Sequence, residues 1–510
     1  MRKARIFPSS GDSSARAVYC IVSRCTRCVL PALAVTALVA CQPSSSRDRK
    51  DTAQGPPSPA QHSNRPYEVW SSRNGRLIGR LVAARSPIQF GGQTFDSEVY
   101  NGQYLAPLLR VRPGDSLKLR VVNRLADISN MHYHGTEVSP RVGMDNIFMH
   151  IAAADSFDYA LYFPPDHNRG LFWYHPHPHG YSERQVLGGM SGLLVVEGLL
   201  EEFYPWLRHV PEQILMLKAL IPPGQPDGAP HVKNINGLTQ ATFTIRPGEL
   251  QLWRIGNIAA DAYFSLRIDG HRFWLLAQDA NALPRPLLLD SLYLPPGARA
   301  EVLIEGAPPG SYAIRHDSVD TGPQGDPNPA VVLGALVSAG TPVSRSADLQ
   351  RLRTMAPLSA VAARIDTLKT RVMNRRVFDF SETADGQTFF INGKQFDPNR
   401  TDTTVELGAV EEWTLRNLSG EVHTFHIHQT DFLVTEINGA PQPANGLHDT
   451  INMPYAMNGQ PGVVKIILPF TNPNIVGSFV YHCHILEHED GGMMQRIQVV
   501  PTRAPTTVAR

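Results

Sequence analysis

Tyr481-His482-Cys483-His484-Ile485-Leu486-Glu487-His488, followed by a thioether at Met493, gathers a thiol and three imidazoles into one short stretch. A thiolate, imidazole nitrogen and a long axial thioether form the donor set of a mononuclear electron-transfer copper site, and Cys483, His488 and Met493 provide it. Side chains alternate between the two faces of a strand, so His482 and His484 would turn away from Cys483 and need a separate metal. Taken singly, a Cys in an apolar strand reads as a small hydrophobe and a His as a satisfied polar residue. Three more His-x-His pairs change that reading: His132/His134, His175/His177 and His426/His428, with His423 just before the last. Each pair puts both rings on one strand face, where they offer two nitrogens to a metal or a metal pair.

The elements that must position these residues read as strands. Residues 116–122, 463–468 and 495–500 alternate or run apolar over strand lengths, and turns such as Arg112-Pro113-Gly114-Asp115 punctuate the chain. Long helical periodicity is scarce; 346–373 is the best candidate, within an expected interdomain connection over 346–375. A chain of 510 residues exceeds one core and implies about three domains. A net charge of +1 without a long basic stripe argues against a nucleic-acid partner.

Arg24 and Arg27 precede an apolar run that ends in Leu38-Val39-Ala40-Cys41 and is too short for a permanent membrane span. The ending resembles a bacterial lipobox. It predicts a lipoprotein-type signal peptide over 1–40, a lipid anchor on Cys41, a flexible tether over 41–65, and export to the periplasm or cell envelope. Cys20, Cys25 and Cys28 fall in the removed segment, and Cys25-x-x-Cys28 reads as a coincidence there. With Cys41 lipidated, Cys483 has no disulfide partner, and metal ligation is the reason to keep a free thiol in an exported chain.

An internal repeat locates the chemistry. Residues 111–123 (VRPGDSLKLRVVN), 245–257 (IRPGELQLWRIGN) and 405–417 (VELGAVEEWTLRN) each read as a turn feeding a strand that ends at Asn. At matching distances beyond Asn123 and Asn417 come His132/His134 and His426/His428, whereas the middle repeat has Leu266 and Ile268. In a second register His175 and His177 align with His482 and His484, and with Arg315 and Asp317. The position of Cys483 is taken by Pro176 and His316, so only the third repeat can build a thiolate site. Eight imidazoles thus form a pseudosymmetric set expected to converge between domains one and three. The middle repeat reads as a spacer, with His271 and His316 structural.

These motifs resemble those of the multicopper oxidases over residues 66–502: His132-Tyr-His134-Gly135, Trp173-Tyr-His175-Pro-His177, His423-Thr-Phe-His426-Ile-His428, and His482-Cys483-His484 with His488 and Met493. The resemblance implies an all-β chain of three cupredoxin-like Greek-key β-sandwich domains in tandem, over 66–198, 199–345 and 376–502, with a tail over 503–510. It implies four copper ions per chain. His423, Cys483, His488 and Met493 would hold type 1 copper, with Met494 a competitor for the axial place. His132 and His426 would hold type 2 copper, and His134, His175, His177, His428, His482 and His484 the type 3 pair. Asp145 and Glu489 occupy positions where the family places proton-relaying acids; His179 reads as a neighbour of the ligands and Asp490 as a cap or a surface contact.

The implied activity is laccase-like: phenolic or other aromatic donors reduce type 1 copper near an exposed edge of His423 or His488, and dioxygen is reduced to water at the cluster. The partners are dioxygen and a reducing substrate, and a monomer is expected. Alternatives are a cuprous oxidase or ferroxidase in metal tolerance, and, more distantly, a copper-free envelope structural protein.

Overall fold

The computed structural model describes residues 66–225 and 229–502. The expected signal peptide, tether and tail lie outside the described residues. The alternation of apolar and polar residues produces what it predicts. In the strand Ser116–Asn123, Leu117, Leu119 and Val121 point into a core while Lys118 and Arg120 face solvent. The other two expected strands are Gly462–Pro469 and Met494–Val500.

The strands build three successive two-sheet sandwiches. The first pairs a five-stranded sheet, which includes His132–His134 and Gly170–His175, with a four-stranded sheet that includes Ser116–Asn123. The second and third each pair a six-stranded with a five-stranded sheet. One spatial order recurs in all three. Leu108–Val111, Gly192–Val196, Gly170–His175 and His132–His134 are matched by Ala241–Ile245, Val331–Ser338, Gly310–His316 and Phe264–Ile268, and again by Thr403–Glu406, Met494–Val500, Gly477–Cys483 and His423–Ile427. The sequence repeat is therefore a repeat of topology.

The Asn that closes each repeat has a physical reason. Asn123, Asn257 and Asn417 are each fully buried. Their side-chain oxygens accept the N–H two residues on, from Leu125 (3.0 Å), Ala259 (3.2 Å) and Ser419 (2.9 Å). Their amides donate to carbonyls further along, those of Asp127, Ala262 and Glu421, each at 2.8 Å. Only a side chain with both donor and acceptor can satisfy a buried strand exit in this way.

In the stretch expected as a connection, two helices form, Ser346–Thr354 and Ser359–Thr370. Leu349 and Leu352 pack with Leu250 and Trp274, and Ile365 and Leu368 pack with Val410, Leu433 and Ile467. The connection is thus laid against the second sandwich and then the third, outside their main cores.

Strand pairing sets the histidine-bearing edges. His132 sits opposite His175, and His426 opposite His482. The middle repeat departs from its sequence alignment, because Leu266 pairs with His316 and not with Arg315. The same strand also meets its other neighbour with a local irregularity beside Ile314 and Arg315. His316 is satisfied on both nitrogens, accepting from Ser265 N (3.0 Å) and meeting Asn328 Oδ1 (2.7 Å).

Candidate metal centres

Two clusters are formed by the residues singled out from sequence. In the first, the Nδ1 atoms of His423 and His488 lie 3.0 Å apart, and Cys483 Sγ lies 3.8 Å and 3.6 Å from them. All three are buried, in ligand-atom reach of one another. The backbone N–H of Thr424 also points at Cys483 Sγ, at 3.4 Å. Met493 shares the core that holds Cys483, whereas Met494 packs with Ile147 and Val480 in a separate cluster. Strand alternation thus leaves Met493, and not Met494, on the thiol side.

The outer nitrogens of the two imidazoles are held by residues that no motif announced. Ser419 Oγ lies 3.1 Å from His423 Nε2, and Glu421 Oε1 lies 3.0 Å from His488 Nε2. Burial alone would raise the Glu421 carboxyl, but His488 beside it holds it down at about 2. The expected exposed edge is absent, since His423 is 0% and His488 4% exposed. A loop of the middle sandwich covers this corner, with Thr321 O accepting from Val422 N (3.0 Å) and Gln324 Oε1 from Gly420 N (2.6 Å).

The second cluster draws eight imidazoles from the first and third sandwiches. His132 stacks on His428 at 3.7 Å between ring centroids, and His134 on His426 at 3.8 Å. Exchanging the first and third repeats exchanges these two pairs, so the pseudosymmetry of the sequence is a near two-fold in space. His177 Nε2 and His428 Nε2 lie 3.2 Å and 3.3 Å from His482 Nε2, and His484 sits 4.9 Å from His134 and 5.6 Å from His175 between centroids. Burial pushes every one of these rings below the usual imidazole range, His175 to about 3 and His426 to about 4. They are neutral near pH 7, as metal ligands must be.

Several outward nitrogens are gripped and several inward ones are left over. His132 Nδ1 meets Asp145 Oδ1 at 3.0 Å, His175 Nδ1 meets Pro176 O at 2.9 Å, His426 Nδ1 meets Asp449 O at 2.7 Å, and His482 Nδ1 meets Cys483 O at 2.9 Å. Nε2 of His132, His175 and His426, Nδ1 of His134 and both nitrogens of His484 are buried without a partner. Each such orphan would cost about 1–3 kcal/mol in a site that held nothing. Borderline imidazole nitrogens beside a thiol, in this number, fit copper, and the two clusters fit its thiolate-bound and histidine-bound forms.

The two acids lie where the histidines need them. Asp145 also accepts from Tyr133 N (3.0 Å) and Gln429 Nε2 (2.6 Å), and burial pushes its carboxyl up to about 7. Glu489 is fully buried, with Oε1 and Oε2 each 3.2 Å from His177 Nδ1 and His482 Nδ1, and Ser182 Oγ donates to it at 2.8 Å. Burial and then Asp490 hold Glu489 well above the usual carboxylate range. Asp490 caps a helix of the first sandwich, accepting from Gly180 N (2.7 Å) and Glu183 N (2.9 Å). His179 packs against Phe396 at 4.9 Å, beside the cluster. Ser419, Glu421, Asp449 and Arg299 have no motif in the sequence and converge on the histidines only in space.

Sequence models of multicopper oxidase domains match residues 83–200, 199–340 and 368–503. A multicopper oxidase of Staphylococcus haemolyticus is 28% identical over 453 residues, covering 85% of this chain and 90% of that protein. The cell division protein FtsP of Escherichia coli is 27% identical over 421 residues, covering 79% and 85%. Among solved structures, a multicopper oxidase from Campylobacter jejuni described as a metallo-oxidase superposes with a TM-score of 0.69 at 26% identity, over 86% of this chain and 94% of that one.

Proposed function

The chain belongs to the multicopper oxidase family, and from that premise we propose that it couples one-electron oxidation of a reducing substrate to the four-electron reduction of dioxygen to water. The observation that carries this is one strand end, where Cys483 faces His423 and His488 while its bonded neighbours His482 and His484 face the eight-imidazole cluster. Bound copper supplies electron acceptance at the thiol centre and oxygen chemistry at the cluster. His423, Cys483, His488 and Met493 would hold one ion; His132 and His426 a second; His134, His175, His177, His428, His482 and His484 a pair.

The chain's own residues do the rest. Cys483 and the peptide units on either side of it connect the two centres covalently. Asp145 on His132, and Glu489 between His177 and His482, hold exchangeable protons beside the cluster. Apolar packing around Cys483, with Phe425, Tyr481 and Met493, keeps water from the thiol.

The donor reading is laccase-like, with phenols or other aromatic compounds. A second reading, oxidation of Cu(I) or Fe(II), is favoured by the Glu421 carboxylate at the outer edge of His488 and by the likeness to the Campylobacter metallo-oxidase. The likeness to FtsP carries a third, a cell-division role; converging imidazoles and a buried thiol favour the oxidase. Oxygen uptake by the copper-loaded protein with Cu(I), Fe(II), a phenol and bilirubin ranks these donors. A fully metallated protein that consumes no oxygen with any of them refutes the oxidase. We place the protein in the cell envelope, anchored through Cys41; a Cys41→Ala variant that stays with the membrane fraction would overturn the anchor.

A further inference from the structure

The middle sandwich contributes no histidine to either centre, yet it places a turn and one side chain against the cluster. The turn is Leu294-Pro295-Pro296-Gly297-Ala298-Arg299. At Gly297, with φ +89°, a Cβ would come within 3.0 Å of His134 and 3.2 Å of His484, so only glycine lets the turn approach both rings. Arg299 is fully buried. Its Nε donates to Leu171 O (3.0 Å), on the strand that carries His175, and its Nη1 and Nη2 donate to Asp449 Oδ1 and Oδ2, each at 2.7 Å. Asp449 belongs to the third sandwich and reaches both stacked rings, with Oδ1 3.1 Å from His134 Nε2 and its carbonyl 2.7 Å from His426 Nδ1. Gly135, the residue after His134, has φ +82°, and a Cβ there would overlap both Arg299 Nη2 and Asp449 Oδ2.

Resting on the oxidase reading above, we infer that Arg299 is a positioning residue for the histidine cluster, supplied by the repeat that has lost its ligands. Its planar fork fixes Asp449, and Asp449 fixes which nitrogen of His134 and of His426 is left for metal. A carboxylate or carbonyl oxygen only accepts, so His134 must carry its hydrogen on Nε2 and His426 on Nδ1. The complementary atoms, His134 Nδ1 and His426 Nε2, are the ones without a partner in the protein. Asp449 lies in ligand-atom reach of both rings itself, but both its oxygens are engaged by the guanidinium. Arginine matches this geometry because two parallel N–H bonds orient a carboxylate, which a lysine ammonium cannot do. A latch that merely held domains together would not need to end on imidazoles.

The test uses the full-length copper-loaded protein and the variants Arg299→Gln, Arg299→Lys and Asp449→Asn. Cluster copper affinity is measured by chelator competition, the paramagnetic copper of the cluster by electron paramagnetic resonance, and the thiolate centre by its blue absorption. Loss of this orienting layer is expected to weaken cluster copper about 10–100-fold and shift the resonance hyperfine pattern, leaving the blue absorption unchanged. Arg299→Lys should fall between Arg299→Gln and wild type. Wild-type protein with its full copper complement secures the metal set in the same experiment, so the variants report on Arg299 alone. Wild-type affinity and spectrum in Asp449→Asn, or variants altered only in unfolding midpoint, would overturn the inference. Asp449→Asn decides the matter if Arg299→Gln fails to fold.

Discussion

The repeated Asn allows stability and metal chemistry to be separated within one molecule. Asn417→Ala removes the side chain that accepts from Ser419 N and donates to Glu421 O, the two residues whose side chains hold the outer nitrogens of His423 and His488. Asn257→Ala makes the same cut in the middle repeat, where the amide serves Ala262 O and Leu294 O and the oxygen serves Ala259 N. An orphaned buried polar group costs about 1–3 kcal/mol, so two at Asn417 predict a loss of about 2–6 kcal/mol and three at Asn257 about 3–9 kcal/mol. Urea unfolding of the copper-free proteins, followed by far-ultraviolet circular dichroism, measures both as shifts in midpoint at constant slope. The less destabilised variant should be the one that loses copper chemistry. Asn417→Ala is expected to weaken copper binding at the thiol and broaden or shift the blue absorption, whereas Asn257→Ala should keep the wild-type spectrum. Equal spectral damage in the two, or an intact blue centre in Asn417→Ala, would show that the loop does not orient these imidazoles.

Cys483→Ser is expected to abolish the blue absorption and donor oxidation while metal analysis still finds copper at the histidine cluster; retained turnover would break the proposed connection between the centres. Asp145→Asn should slow oxygen reduction by about 10²-fold or more in stopped flow and leave reduction of the thiol centre unchanged. Equal rates of oxygen reduction would remove its relay role. Stripping copper with a chelator should lower the thermal midpoint, and readdition should raise it with the logarithm of free copper, as expected for a ligand that binds only the folded state. A midpoint indifferent to copper would mean that the unpaired imidazoles are not its ligands.

The two side-chain clusters were legible in the sequence because strand geometry turns spacing into direction: a His-x-His pair must share a face, and a Cys between two histidines must oppose them. The repeat was legible for a similar reason, since a buried strand exit demands an Asn-like side chain each time it recurs. Contacts that cross between sandwiches were not. Nothing local marks Arg299 as the partner of Asp449, 150 positions away. Nor does the chain announce that a loop around Thr321 and Gln324 buries the corner where exposed edges of His423 and His488 were expected. Reading the middle repeat as a spacer followed from its missing histidines, and missed that a repeat freed from holding metal can supply a cation to orient the ligands of the others. The slip that pairs Leu266 with His316 was equally hidden, because a one-residue shift in pairing leaves the sequence pattern of each strand unchanged.

The division of the histidine cluster between the first and third sandwiches also sets the timing of maturation. Domains generally fold as units. When the first sandwich is complete, His132, His134, His175 and His177 form an open half-shell whose opposing wall has not been made. The other half exists only once the strand Gly477–Cys483 has paired with His423–Ile427, near the end of synthesis. A site built from all eight imidazoles is therefore complete only after both sandwiches have folded.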